Sequence, residues 1–343
     1  MSNLQIGLAV AGGLVLAGVV AHGTWSSRRS APRQATPEEP RDAAGHPGIE
    51  PGLDEAAFDV AHFPVPTPEK RLLMDALIDV IAPIALDGLV SGDAALVAMP
   101  PTRRAGSKPY AIEGFNDATR RWETPLAGQR YSAFQAGVQL ANRSGALNEI
   151  EYSEFVMKTQ AFSDAINGTP DFPEMLDEVA RARELDQFAS AHDAQLDFFV
   201  RARNSAWSPG YVQQNAAQLG FVAGSLPGRM VLPARTPGLP PVLSLSFDTQ
   251  AALAEDPAQS AIREVTLALD VAQVDRSESG FDRMRDAALA LAEAMDGVVT
   301  DSNGLLLVPE AMQVFAAELQ GMYDTLDERD LSAGSALARR LFS

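Results

Sequence analysis

The sequence predicts an α+β protein: a single N-terminal transmembrane helix, a flexible linker, and antiparallel β-sheet domains with helices packed on one face. Three observations predict it. An uncharged stretch runs from Leu4 to Ala21, with Gln5 as its one polar residue. Beyond residue 70, short alternating apolar runs are interleaved with helical stripes of spacing three and four. Two short passages also echo each other across the chain. Asp164-Ala165-Ile166-Asn167-Gly168 stands beside Glu293-Ala294-Met295-Asp296-Gly297, and Pro173-Glu174-Met175 beside Pro309-Glu310-Ala311-Met312. Helix-Gly-Pro-helix order also arises by chance, so a duplication is one reading of these echoes.

The first stretch is long enough to span a membrane. About 18–20 residues at roughly 1.5 Å each cover the ~30 Å of a bilayer's hydrocarbon core. Leu4, Leu8, Val15 and Val19 supply its apolar bulk, and Trp25 falls at headgroup depth. Arg28, Arg29 and Arg33 follow, while Met1 to Asn3 carry no Lys or Arg. The positive-inside rule then places residues 1–25 as an anchor with the C-terminal side cytoplasmic. A cleaved signal peptide would instead need a basic start and a shorter apolar core. Small residues four apart, Ala9 with Gly13 and Gly7 with Ala11, are spaced to pack two anchors together, or belong to an Ala- and Gly-rich helix with no partner.

Residues 26–70 carry eight prolines, from Pro32 to Pro68, and few large apolar side chains. That composition builds no core, so the stretch reads as a linker averaging about 35–40 Å end to end as a loose coil. In residues 71–192, Leu77–Leu86, Tyr110–Phe115 and Tyr131–Ala141 read as strands. Two helices follow, one closing on Gly168 and one opening after Pro173. Residues 193–330 form the clearer domain. Leu196–Ala202 is a strand, Ser208-Pro209 opens a helix in cap-and-N1 order, and Phe221–Leu232 is a strand broken at Pro227-Gly228. Val242–Asp248 and Val265–Val271 are further strands. Phe281, Met284, Ala288, Leu291 and Met295 make a helical stripe ending at Gly297, and Pro309 opens a last helix. Residues 331–343 read as a C-terminal tail.

Composition narrows the function. A net charge of −18 excludes a nucleic-acid partner and suits one bearing Lys or Arg. With no cysteine there is no disulfide, thiolate metal site or Cys nucleophile. The four histidines, His22, His46, His62 and His192, show no metal-ligand spacing and no Ser–His pairing. Acid pairs such as Glu38-Glu39 and Asp75-Asp79 read as solvated charge. No active site, metal or cofactor is expected.

One resemblance adds to this. The anchor running into His22-Gly23-x-Trp25-x-Ser27-Arg28-Arg29 resembles the ZipA family of bacterial cell-division proteins. So do Leu219-Gly220-Phe221-Val222-Ala223-Gly224, Val265-Thr266-Leu267, and Gly297-Val298-Val299-x-Asp301 before Pro309, in the family's order. The resemblance covers about residues 4–29 and 194–326. It implies a split β-α-β domain, and a non-enzymatic inner-membrane adaptor at the division site. Such an adaptor has a periplasmic N-terminus and binds the C-terminal tail of FtsZ on an exposed sheet face, with other divisome proteins as further partners. Residues 71–192 have no counterpart in it, and the linker is shorter than the family's.

One strand admits two opposite orientations. Alternation in Leu243-Ser244-Leu245-Ser246-Phe247 turns the large apolar side toward the core. The resemblance instead aligns Leu245, Phe247 and Thr249 with the tail-binding face, beside Leu226, Ala268 and Asp270. Competing functions are an adaptor for another peptide and a membrane-tethered enzyme. A shallow apolar sheet face favours an adaptor, and a deep pocket with convergent polar groups favours an enzyme.

Overall fold

The computed structural model describes residues 32–35, 74–256 and 260–343. The anchor residues Leu4, Leu8, Val15, Val19, Trp25, Arg28 and Arg29, and most of the expected linker, lie outside the described residues. Among the described residues no helix is long and apolar enough to cross a membrane. The chain divides into two compact units. Each is α+β with an antiparallel sheet.

The first unit contains β1 (Asp79–Leu86), α1 (Gly92–Ala98), β2 (Lys108–Asn116), β3 (Arg130–Gln139), α2 (Glu149–Ala165), β4 (Gly168–Pro170) and α3 (Met175–His192). Its sheet runs β2-β3-β1-β4 with every pairing antiparallel. Alternation sets which side is buried. Val80, Ala82 and Ile84 pair with Val138, Ala136 and Phe134, and all six are buried. Phe134 meets Phe162 of α2 edge-on, ring centres 5.4 Å apart. A capping box starts α2: the Asn148 side chain accepts the Glu151 N–H at 3.0 Å, and Glu151 accepts the Asn148 N–H at 3.2 Å. After the helix, Asn167 takes φ +53°, a left-handed turn that Asn tolerates, and Gly168 opens β4. A Cβ on Gly168 would lie 2.7 Å from Ile84 Cγ2, so no side chain fits there.

Tyr110 of β2 is buried in this core, its hydroxyl 3.3 Å from Thr159 Oγ1. Burial pushes the phenol up to about 12, the Thr159 contact opposing. A phenol whose folded pKa lies above its unfolded value of about 10 stabilises the fold fully below pH 10. That contribution fades as pH rises toward 12. Denaturant titrations should lose about 2–3 kcal/mol between pH 10 and 12, and Tyr110→Phe should lose less. An equal loss in both proteins would remove Tyr110 as the cause.

The second unit contains β5 (Gln195–Ala202), α4 (Pro209–Gln218), β6 (Val222–Ala223), β7 (Arg229–Leu232), β8 (Leu243–Ser246), β9 (Glu264–Asp270), α5 (Gly280–Met295) and β10 (Gly297–Thr300). It takes the opening of α6 (Pro309–Glu328), since the division between units falls after Ala317. The sheet runs β6-β7-β8-β9-β5-β10, again antiparallel throughout. Its last four strands, β8-β9-β5-β10, repeat the order β2-β3-β1-β4, the split βαβ arrangement. The sequence echo has a physical cause at this point. Asp296 takes φ +56° as Asn167 takes φ +53°, and each is followed by the glycine that opens an edge strand.

Several expectations are corrected. Residues 331–343 are no tail, because they complete the first unit. Leu331, Ala333, Leu341 and Phe342 are buried, the last two around α7 (Ala336–Leu341). Asp79 is not solvated charge as the pair Asp75-Asp79 suggested: its carboxylate is buried, and Arg340 grips it with two bonds of 3.0 and 2.5 Å. Gln273 donates to the Phe342 carbonyl at 2.6 Å. The boundaries 71–192 and 193–330 are therefore too simple, since 271–277 and 318–343 also belong with the first unit. Within the expected linker, residues 32–35 lie on the second unit. The Arg33 N–H donates to Ala206 O at 2.7 Å, and the Ser208 N–H donates to Arg33 O at 2.8 Å. Arg33 also pairs with Asp296 at 2.9 Å. Trp207 between them is fully buried and donates its indole N–H to Met295 O at 2.7 Å.

Candidate functional site

The second unit's sheet has one face under helices. Phe198 meets Phe281 of α5, ring centres 6.0 Å apart, and Phe198 pairs with Leu267. Leu267 pairs with Leu245, and Leu245 with Met230, so all four point to the helix side. Val265 and Leu269, two residues to either side of Leu267 on β9, are buried with it.

The opposite face follows from the same register. One row across it is Val222, Val231, Ser244, Ala268 and Asp197. The next is Arg229, Ser246, Thr266, Phe199 and Thr300. Its floor is thus small: Ser244, Ser246, Thr266 and Ala268, all half-buried. Val222 and Val231 flank the floor on one side and Phe199 on the other. The Arg201 guanidinium lies 5.6 Å from the centre of the Phe199 ring and pairs with Glu264 at 2.6 Å. Exposed Arg229 and Asp197 stand at opposite sides. The arrangement is a shallow trough with a small-residue floor, apolar flanks and charges of both signs around it. It offers area and shape to an extended peptide.

The expected site residues divide sharply. Ala268 and Asp270 are on this face, and Leu226 is exposed in the turn between β6 and β7. Leu245 and Phe247 are not on it: they are 0% and 7% exposed, on the helix side. Thr249 has left the strand and begins a short helix, Thr249–Ala252, capped by Asp248. Alternation therefore overrules the family alignment here, because Leu245 sits opposite Leu267 and a one-residue slip would turn the serines inward. Phe199 and Val231 were not among the expected site residues, whereas alternation alone had turned Ser244 and Ser246 away from the core. The signal for Phe199 was present, since it alternates with the buried Phe198 and Val200.

A second concavity in this unit, about 540 Å³, lies between α5 and the 306–309 segment, lined by Leu289, Val298, Leu306 and Val308. Arg203, Glu293 and Asp296 also line it, and Asp296 is already bound by Arg33 and Asn204. Among the described residues no group of three or more His, Asp or Glu is placed to hold a metal ion. A scan against protein families finds no family that matches this chain, and a search of curated proteins finds no match either.

Proposed function

We propose that this protein is a bitopic inner-membrane adaptor that tethers FtsZ polymers by holding the FtsZ C-terminal tail on the helix-free face of the second unit's sheet. The observation that carries the reading is the trough over Ser244, Ser246, Thr266 and Ala268, flanked by Val231 and Phe199. A short amphipathic peptide laid across such a floor fills it with a few apolar side chains. The chain's net charge of −18 favours a peptide carrying Lys or Arg, mainly through its rate of encounter. The family resemblance of residues 4–29 and 194–326 supplies the partner's name and the membrane anchor.

Immobilised full chain should retain FtsZ and lose it when the FtsZ C-terminal tail is removed. Equal retention of both forms would sink the tail-binding role. Phe199→Ala should weaken tail binding by about 1–3 kcal/mol, as expected for an aromatic flank of an interface. Folding stability should change by about 1 kcal/mol or less, because the ring lies away from the helices. Unchanged tail affinity in Phe199→Ala would place the tail elsewhere.

A further inference from the structure

The two sheets can be matched residue by residue. Gly168 pairs with Leu86 as Gly297 pairs with Ala202, which sets Ala82 against Phe198. Ala136 then matches Leu267, Gly137 matches Ala268, and Glu113 matches Ser246. On the first unit, Met74 lies against this face. The Met74 N–H donates to Glu113 Oε1 at 3.0 Å. Its thioether lies over Gly137, where a Cβ would come within 2.5 Å of Met74 Sδ. Glu113 is 5% exposed although its strand turns it away from the helices, and its other oxygen accepts from Gln135 at 2.8 Å. Arg181 holds the following turn through the carbonyls of Ala76, at 2.9 Å, and Asp79, at 2.6 Å.

A buried carboxylate on a sheet face requires donors: Gln135 serves one oxygen, and the Met74 backbone N–H serves the other. Beside it, the missing side chain of Gly137 leaves a slot for an unbranched one. We propose that the first unit carries its own peptide-docking seat. It takes a chain segment that lays an unbranched apolar side chain over Gly137 and gives that residue's backbone N–H to Glu113. The lead-in at Met74 is its built-in occupant, and a peptide of the same chemistry displaces it. This does not depend on the second unit's partner.

The test uses the full chain and a fluorescent peptide copying residues 69–77. The tethered lead-in acts at an effective concentration in the millimolar range and hides the seat in the native chain. Met74→Asp sets a carboxylate against Glu113 and expels the lead-in. The peptide should bind this variant at least about tenfold more tightly than the native chain. Adding Gly137→Val fills the slot and should return binding to the native level. Equal binding by Met74→Asp and the native chain overturns the proposal, as does full binding by the double variant. A second readout needs no peptide. Peroxide should oxidise Met74 of the native chain several-fold more slowly than Met157, which is 65% exposed. In Gly137→Val the two rates should converge; a Met74 rate unchanged by Gly137→Val also overturns it.

Discussion

Deleting residues 331–343 should unfold the first unit. The deletion removes Leu331, Leu341 and Phe342 from the core, and large apolar side chains contribute about 1.5–3 kcal/mol each on burial. It also strips Asp79, 2% exposed, of the Arg340 guanidinium. An uncompensated buried charge of this kind costs about 3–5 kcal/mol. Together these losses match the whole stability of an ordinary domain, about 5–15 kcal/mol. Arg340→Ala isolates the ionic part and should lower stability by about 3–5 kcal/mol, leaving the Asp75 N–H at 2.9 Å as a remaining donor to Asp79. Hydrogen exchange of the β3 amides reports the unit directly. Unchanged β3 protection in the truncated chain would show that 331–343 is a dispensable tail after all.

Phe247→Ala should destabilise the second unit by about 3–5 kcal/mol, the usual range for emptying an aromatic site in a core. The ring is 7% exposed, on the side of Leu245 and Leu267. Leu267→Ala, at 0% exposure, should lose a comparable 2–5 kcal/mol. Ser246→Ala, one residue before Phe247 and on the other face, should change stability by well under 1 kcal/mol. A Phe247→Ala protein with native urea denaturation would mean that the strand register is slipped by one.

Much of this architecture was legible because one-dimensional period reports burial. Val265, Leu267 and Leu269 alternate, the stripe from Phe281 to Met295 recurs at three and four, and Ser208-Pro209 marks a helix start. The repeated topology was legible in Asn167-Gly168 and Asp296-Gly297, since a left-handed residue before a crowded glycine restricts what can stand there. The site was harder. β8 is four residues long, and its Leu/Ser alternation was set against a family alignment that turned it over. Pairing with Leu267, more than twenty residues away, decides the matter. Arg340 was illegible for a stronger version of the same reason: its partner Asp79 lies 261 positions away, and no periodicity reaches that far. Met74 over Gly137 likewise needs the fold before either residue has meaning.

Arg33 has a mechanical consequence for the proposed adaptor. Its backbone is fixed beside Trp207 at the second unit, so the leash from a bilayer anchor ending at Trp25 is residues 26–32 alone. Fully stretched at about 3.5 Å per residue, that leash reaches only about 25 Å. The second unit's altitude above the lipid is then capped by these few residues. Lengthening or shortening the chain between 36 and 73 leaves that ceiling where it is.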